Sequence, residues 1–196
     1  MLLPRTILAL SLAAVPAVHT FAAAPDQSGY ATRPAAANKA ERNDAASLDA
    51  LFTALNDAGI AVGADTTTPA IATVCAAKPG LNAWFKPIPS AHNKGAKTGF
   101  IAFCMNRINE TQLDADQILR HEAAHVMQWC KSGKPDTEAK VRPLGLKLTE
   151  LTRLGLAHAV INDYGPNQLV LEAEAESLAQ TTSLLGMAKS VKSHCK

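Results

Sequence analysis

The sequence predicts a mainly helical α+β domain with a small antiparallel sheet. Apolar residues recur with helical spacing near both ends of the region that follows residue 44, over 48–55 and 171–185. Between them, the short segments 83–86 and 100–104 are rich in aromatic and apolar residues and favour strands. A third helical pattern comes after 100–104, so we expect the last strand of the sheet to precede that helix.

The N-terminus has the pattern of a signal peptide that directs export. Arg5 is the only charged residue before an apolar run over 7–18, and small residues follow at 20–24. This run is too short to cross a bilayer as a helix, so we expect no stable membrane insertion. We predict a signal peptide at 1–22, cleaved after Ala22, and a mature protein that is periplasmic or secreted.

Residues 23–43 form a leader that is rich in Ala, Pro, Ser and Gly and has no apolar period. This composition predicts a flexible segment. The remaining residues, 44–196, are enough for one domain with a buried core. The formal net charge is only +2 and no basic block occurs, so we expect no nucleic acid or anionic membrane as a partner.

The four cysteines predict two disulfide bonds, because an even number of cysteines in an exported chain is typical of a disulfide framework. Three connectivities are possible for Cys75, Cys104, Cys130 and Cys195. We favour Cys75–Cys104, which would tie the segment before the hairpin to its second strand, and Cys130–Cys195, which would join the motif helix to the C-terminal tail. A zinc site built from cysteines is disfavoured because no C-x-x-C pair occurs.

The first predicted helix begins near Asp44 or Ser47, both of which can cap a helix, and ends near Gly59. Its apolar residues share one face, which predicts a core element. The segment 63–69 has the composition of a loop, and 71–75 is a short apolar stretch that fits either a strand or a helix.

The two strand-like segments are expected to form an antiparallel pair joined by a broad loop that contains Pro87, Pro89 and Gly95. A strand with a free edge can bind an extended peptide through main-chain hydrogen bonds. We predict that residues 100–106 form such an edge, although a purely structural strand would have the same sequence pattern.

The residues His121-Glu122-Ala123-Ala124-His125 are the centre of the functional prediction. Two histidines four apart on a helix lie on one face, one turn apart, so both imidazoles can reach the same metal ion. Glu122 is then placed to act on a water bound to that metal. This is the H-E-x-x-H pattern of zinc metallopeptidases, in which the glutamate is a general base and not a ligand. An ordinary amphipathic helix with two histidines is the alternative.

A catalytic zinc usually has three protein ligands, so a further ligand is expected elsewhere. After a predicted helix at 148–161 and a break at 163–166, the last helix runs from 167 into the 180s. It carries Glu172, Glu174 and Glu176. Helical spacing puts Glu172 and Glu176 on one face and Glu174 on another, and does not choose the ligand. A solvated acidic face is the alternative interpretation.

The His-Glu-x-x-His motif followed by this acidic helix resembles the gluzincins, zinc metallopeptidases whose third ligand is a glutamate on a later helix. The resemblance implies a zincin-like metallopeptidase domain over 44–196, with Glu172 as the ligand. It also implies that Glu176, where Asp is commoner in such families, accepts a hydrogen bond from the far nitrogen of a ligand histidine. A His or Tyr between the two helices would stabilise the oxyanion, which makes His158 and Tyr164 candidates.

The predicted function is that of an exported zinc-dependent peptidase. His121, His125 and Glu172 would bind Zn²⁺, Glu122 would be the general base, and a peptide or protein would be the substrate. Two alternatives remain open. One is a non-catalytic secreted module that binds or inhibits a partner on a metalloprotease-like fold. The other is a zinc amidase that acts on cell-wall peptides.

Overall fold

A computed structural model of the chain describes residues 45–88, 98–135, 137–146 and 166–196. The described part is a mixed α+β fold, which confirms the predicted class at that level. Six α-helices and one short 3₁₀ helix are described: α1 Ala45–Asp57, α2 Pro69–Ala77, α3 Met105–Thr111, α4 Ala115–Lys131, α5 Pro166–Thr181, α6 Leu184–His194 and the 3₁₀ turn Glu138–Lys140. Three strands are described: β1 Ile60–Ala64, β2 Ala83–Pro87 and β3 Gly99–Phe103.

The three strands form a single sheet in the order β1-β3-β2. The predicted antiparallel pair is confirmed, with Phe85 opposite Ile101. The sheet is nevertheless mixed, because β1 pairs with β3 in parallel and places Val62 opposite Ile101 on the other side. Since β3 has a neighbour on each side, the prediction that residues 100–106 form a free edge is wrong. Among the described strands, β2 is the edge strand that lies beside α4.

The hydrophobic core surrounds α4, which packs against α5, α6 and β2. Most of its residues from 119 to 130 are buried, including polar ones. On the sheet side, the rings of Phe85 and Trp129 meet edge to face with centroids 5.7 Å apart. The first described helix, α1, packs against α6 and buries Leu51 and Leu55. The helix that carries the motif is therefore the central element of the core.

Several boundaries differ from the sequence-based predictions. The segment 71–75 lies in α2, with Pro69 in the first turn, where its missing N–H is tolerated. The helix α3 separates β3 from α4, so the strand does not lead directly into the motif helix. The single predicted last helix is two helices, because Ser183 caps α6 by accepting from the Gly186 N–H.

Both predicted disulfide bonds are confirmed: Cys75–Cys104 joins α2 to the end of β3, and Cys130–Cys195 joins α4 to the residue after α6. Within the described ranges, no helix has the length and apolar character that a membrane span requires. The predicted signal peptide at 1–22, the leader at 23–43 and the predicted helix at 148–161 lie outside the described residues.

Candidate metal centre

The two histidines of the motif lie on the face of α4 that packs against α5. Asp114 begins α4 by accepting hydrogen bonds from the N–H groups of Asp116 and Gln117, which caps the helix. The alanines at 123 and 124 on α4 and at 173, 175 and 179 on α5 are buried. The packing of α5 against α4 brings Glu172 to the histidines.

Three potential ligand atoms converge at this contact. The Nε2 atoms of His121 and His125 are 3.1 Å apart. The Glu172 carboxylate lies 3.2 Å from Nε2 of His121 and 3.5 Å from Nε2 of His125. This group of residues could hold a metal ion, since all three ligand atoms lie within 4.8 Å of one another.

The spacing of the donors fits a small four-coordinate cation. With metal–ligand bonds of about 2.0–2.1 Å in tetrahedral geometry, neighbouring donor atoms are about 3.3 Å apart. The two Nε2 atoms are 3.1 Å apart and Oε2 of Glu172 lies 3.2 Å from Nε2 of His121, so these two separations are close to that value. The 3.5 Å separation to Nε2 of His125 is made by the other carboxylate oxygen, Oε1. Three protein donors leave the fourth tetrahedral position for a water or a substrate atom. The side chains of His125 and Glu172 are 19% and 18% exposed, so the donor cluster is not fully sealed from solvent.

The electrostatics of the centre favour a positive charge between the rings and the carboxylate. Burial acts to lower the pKa of His121, but hydrogen bonds to Glu172 and Glu176 outweigh burial and raise it to about 10. The pKa of His125 is also raised, because the charge of Glu172 and a hydrogen bond to it exceed the effect of burial. Burial opposes ionisation of Glu172, yet the histidines hold its pKa below the usual range. A metal cation would replace these protons.

Glu176 lies one helical turn beyond Glu172 and faces the other nitrogen of His121. Its Oε2 is 3.4 Å from Nδ1 of His121. The other oxygen accepts hydrogen bonds from the side-chain amides of Gln117 at 3.3 Å and Gln180 at 2.7 Å. The hydrogen bond to His121 is the main reason that the pKa of Glu176 is lowered. The structure therefore brings Glu176 to the far nitrogen of the histidine, as the resemblance implies.

Glu174 does not join the donor cluster. It is 1% exposed and points away from the histidines, towards the segment 144–146. Its carboxylate accepts hydrogen bonds from three consecutive backbone N–H groups, those of Leu144, Gly145 and Leu146. The alternative in which Glu174 is the third ligand is therefore not supported, because both of its oxygens are already engaged in backbone hydrogen bonds.

Glu122 is buried on α4 beside the edge strand. Burial raises the pKa of its carboxyl group, while the neighbouring charges of His125 and His121 and a hydrogen bond from the Phe85 N–H act to lower it. This contact with Phe85 joins the carboxylate to the outer edge of β2. Glu122 is thus held close to the donor cluster without belonging to it.

Sequence reasoning missed two partners of the centre, Gln128 and the Phe85 N–H. The Oε1 of Gln128 lies 2.9 Å from Nδ1 of His125. The spacing of three residues on a helix was available as a signal for this contact, since residues three apart are neighbours on the helix surface. The candidate oxyanion donors His158 and Tyr164 lie outside the described residues.

The comparisons with known proteins return no significant match to a family model, a curated protein or a solved structure.

Proposed function

We propose that this protein is an exported zinc-dependent peptidase of the gluzincin type. The observation that carries the proposal is the convergence of His121, His125 and Glu172 on one point, beside the buried carboxylate of Glu122. A donor set of two imidazoles and one carboxylate is that of catalytic zinc sites, in which a fourth position stays open. The zincin-like fold is part of the proposal, because the order of sheet, motif helix and glutamate helix supports it.

The proposed chemistry is hydrolysis of a peptide bond. When bound, zinc would lower the pKa of a water at the open position to about 7. Glu122 would accept the proton of the attacking water and later donate it to the leaving amine. Burial raises the pKa of this carboxyl group, which makes the carboxylate a stronger base and so assists the first transfer.

The geometry of the sheet supports an extended peptide as the substrate. Among the described strands, β2 has a neighbour on one side only, and its Phe85 N–H reaches Glu122. A peptide that added to this edge by main-chain hydrogen bonds would lie next to the general base. In this proposal β2 replaces β3 as the peptide-binding edge, because β3 is paired on both sides.

Export is supported by the two disulfide bonds, because such bonds persist in oxidising compartments outside the cytoplasm. The pattern of residues 1–22 adds to this argument. We therefore propose that the mature protein acts in a periplasm or in the secreted fraction.

The test combines metal analysis with cleavage of a mixed peptide library, followed by mass spectrometry. We expect one zinc per chain in the parent and in Glu122→Gln, since the carboxylate is not a ligand. Cleavage should fall by about 100-fold or more in that variant, in line with the contribution of a general base. The exposed Glu110, on α3, provides a matched control, and Glu110→Gln should cleave as the parent does.

Two results would count against the proposal. If the zinc-loaded parent cleaves no peptide, a non-catalytic binding or inhibitory module becomes the better interpretation. If Glu122→Gln cleaves as fast as the parent, Glu122 is not the general base. Cleavage confined to cell-wall peptides would instead identify the zinc amidase that the sequence left open.

A further inference from the structure

The orientation of one buried amide determines which nitrogen of His125 is free. Gln128 is fully buried, and its Nε2 lies 2.8 Å from the Leu171 carbonyl oxygen and 3.2 Å from the Glu174 carboxylate. Both partners can only accept, so the atom that faces them must be the NH₂ group. The carbonyl oxygen of the amide therefore faces Nδ1 of His125, at 2.9 Å.

An amide oxygen can only accept a hydrogen bond, so Nδ1 of His125 must carry the proton that it donates. In a neutral imidazole the lone pair is then on Nε2, the atom that faces His121 and Glu172. We propose that Gln128 is a positioning residue that selects the tautomer of His125 in which Nε2 binds the metal. This inference rests on the proposed zinc site and concerns a residue outside the donor set.

The amide is itself held in place by Glu174. That carboxylate receives the Gln128 NH₂ group on Oε2, and its two oxygens also receive the N–H groups of Leu144, Gly145 and Leu146. Rotating the amide by half a turn would put an oxygen against the Leu171 carbonyl and the carboxylate, where no hydrogen is available. The Glu174 carboxylate thus fixes the orientation of the Gln128 amide, and the amide fixes the tautomer of the His125 ring.

This arrangement assigns different roles to neighbouring acidic residues of α5. Glu172 faces the donor cluster, Glu176 faces Nδ1 of His121, and Glu174 acts on His125 through Gln128. Each histidine therefore has an acceptor for its far nitrogen, a carboxylate for His121 and an amide for His125. Such partners are associated with about 10–100-fold changes in metal affinity when they are removed.

The first test measures zinc affinity by competition with a chromogenic chelator. Gln128→Met removes the acceptor while keeping a side chain of similar length, and we expect zinc binding about 10–100-fold weaker than in the parent. Arg120→Met is the matched control. The buried Arg120 also donates from α4 to a backbone carbonyl of α5, that of Ala179 at 2.9 Å, but it does not contact His125. The control should lose thermal stability and keep the parent affinity within about twofold.

The second test observes the ring directly, and its main measurement, on the parent, needs no substitution. Long-range ¹H–¹⁵N correlation spectra of the zinc-loaded parent should report a protonated Nδ1 and a metal-bound Nε2 for His125. The Nδ1 proton should exchange slowly with water in the parent and in Arg120→Met, and rapidly in Gln128→Met. This measurement keeps the inference testable if Gln128→Met does not fold.

Three outcomes would overturn the inference. Zinc bound through Nδ1 of His125 contradicts the tautomer, and parent-like affinity in folded Gln128→Met contradicts the role of the amide. Equal losses of zinc affinity in Gln128→Met and Arg120→Met would reduce the role of Gln128 to helix packing. All three leave the proposed zinc site intact, whereas a parent that binds no zinc overturns the proposed function and this inference together.

Discussion

Zinc binding to this protein should become markedly tighter as the pH rises, because the metal must displace protons from the histidines. Without metal, the acidic partners of His121 raise its pKa to about 10, and the pKa of His125 is raised as well. The imidazole of His121 is therefore held in the charged form at neutral pH. Only neutral imidazole binds a metal, so each bound zinc releases this proton, together with any that His125 carries.

The magnitude follows from the pKa of His121. A pH of 7 is about three units below the His121 pKa of about 10, so zinc must displace a firmly held proton. This competition weakens apparent zinc binding by about 1,000-fold, or about 4 kcal/mol at 1.36 kcal/mol per unit. Apparent affinity should rise about tenfold per pH unit from His121 alone, and more steeply where His125 also titrates. Between pH 6 and pH 8, the gain should therefore be at least about 100-fold.

The assay is a zinc titration at several pH values, repeated in buffers of different ionisation enthalpy so that calorimetry counts the released protons. We expect between one and two protons per zinc near pH 7. The variant Glu176→Gln removes a hydrogen bond that raises the pKa of His121, so its affinity should stop rising at a lower pH than that of the parent. An affinity that stays constant from pH 6 to pH 8 would refute the reasoning.

Three further predictions concern the acidic helix and the disulfide at the end of α4. Glu172→Gln should weaken zinc binding by about 100-fold or more, as measured by chelator competition. The loss should be this large because the substitution removes a charged ligand, whereas losing an outer partner costs less. Glu174→Gln should bind zinc more tightly than Glu172→Gln does. It should lower the free energy of unfolding, measured in urea, by about 3 kcal/mol, because buried N–H groups lose a charged acceptor. If Glu174→Gln instead bound zinc more weakly than Glu172→Gln, Glu174 would be the ligand. Replacing Cys130 and Cys195 together by Ala should lower the free energy of unfolding by about 4 kcal/mol, the loop-entropy value for a separation of 65 residues, and unchanged urea denaturation would contradict this.

The sequence predicts best what depends on near neighbours along the chain. The alignment of His121 and His125 follows from helical geometry alone, and the Asp114 cap adjoins the motif. The antiparallel pair of β2 and β3 was also predictable, because both segments carry aromatic and apolar residues. The disulfide pairing is one of three that the four cysteines allow, and the sequence favoured it without excluding the other two.

Features that depend on packing between distant segments were not predictable. β1 has the sequence IAVGA, which lacks a strong strand pattern, and its parallel pairing with β3 joins residues about forty positions apart. The choice of Glu172 over Glu174 depends on how α5 is rotated against α4, which periodicity does not specify. The role of Gln128 depends on its hydrogen-bond acceptors on α5, which its position in the sequence does not reveal.

The contact between α1 and α6 brings opposite ends of the described chain together. Leu51 from one end and Met187 from the other belong to the same core. During synthesis, α1 leaves the ribosome well before its partner exists, so the interior cannot close until α6 has been made. We therefore expect nascent or truncated chains that lack α6 to be open to proteases, and closure of the core to wait for the synthesis of that helix.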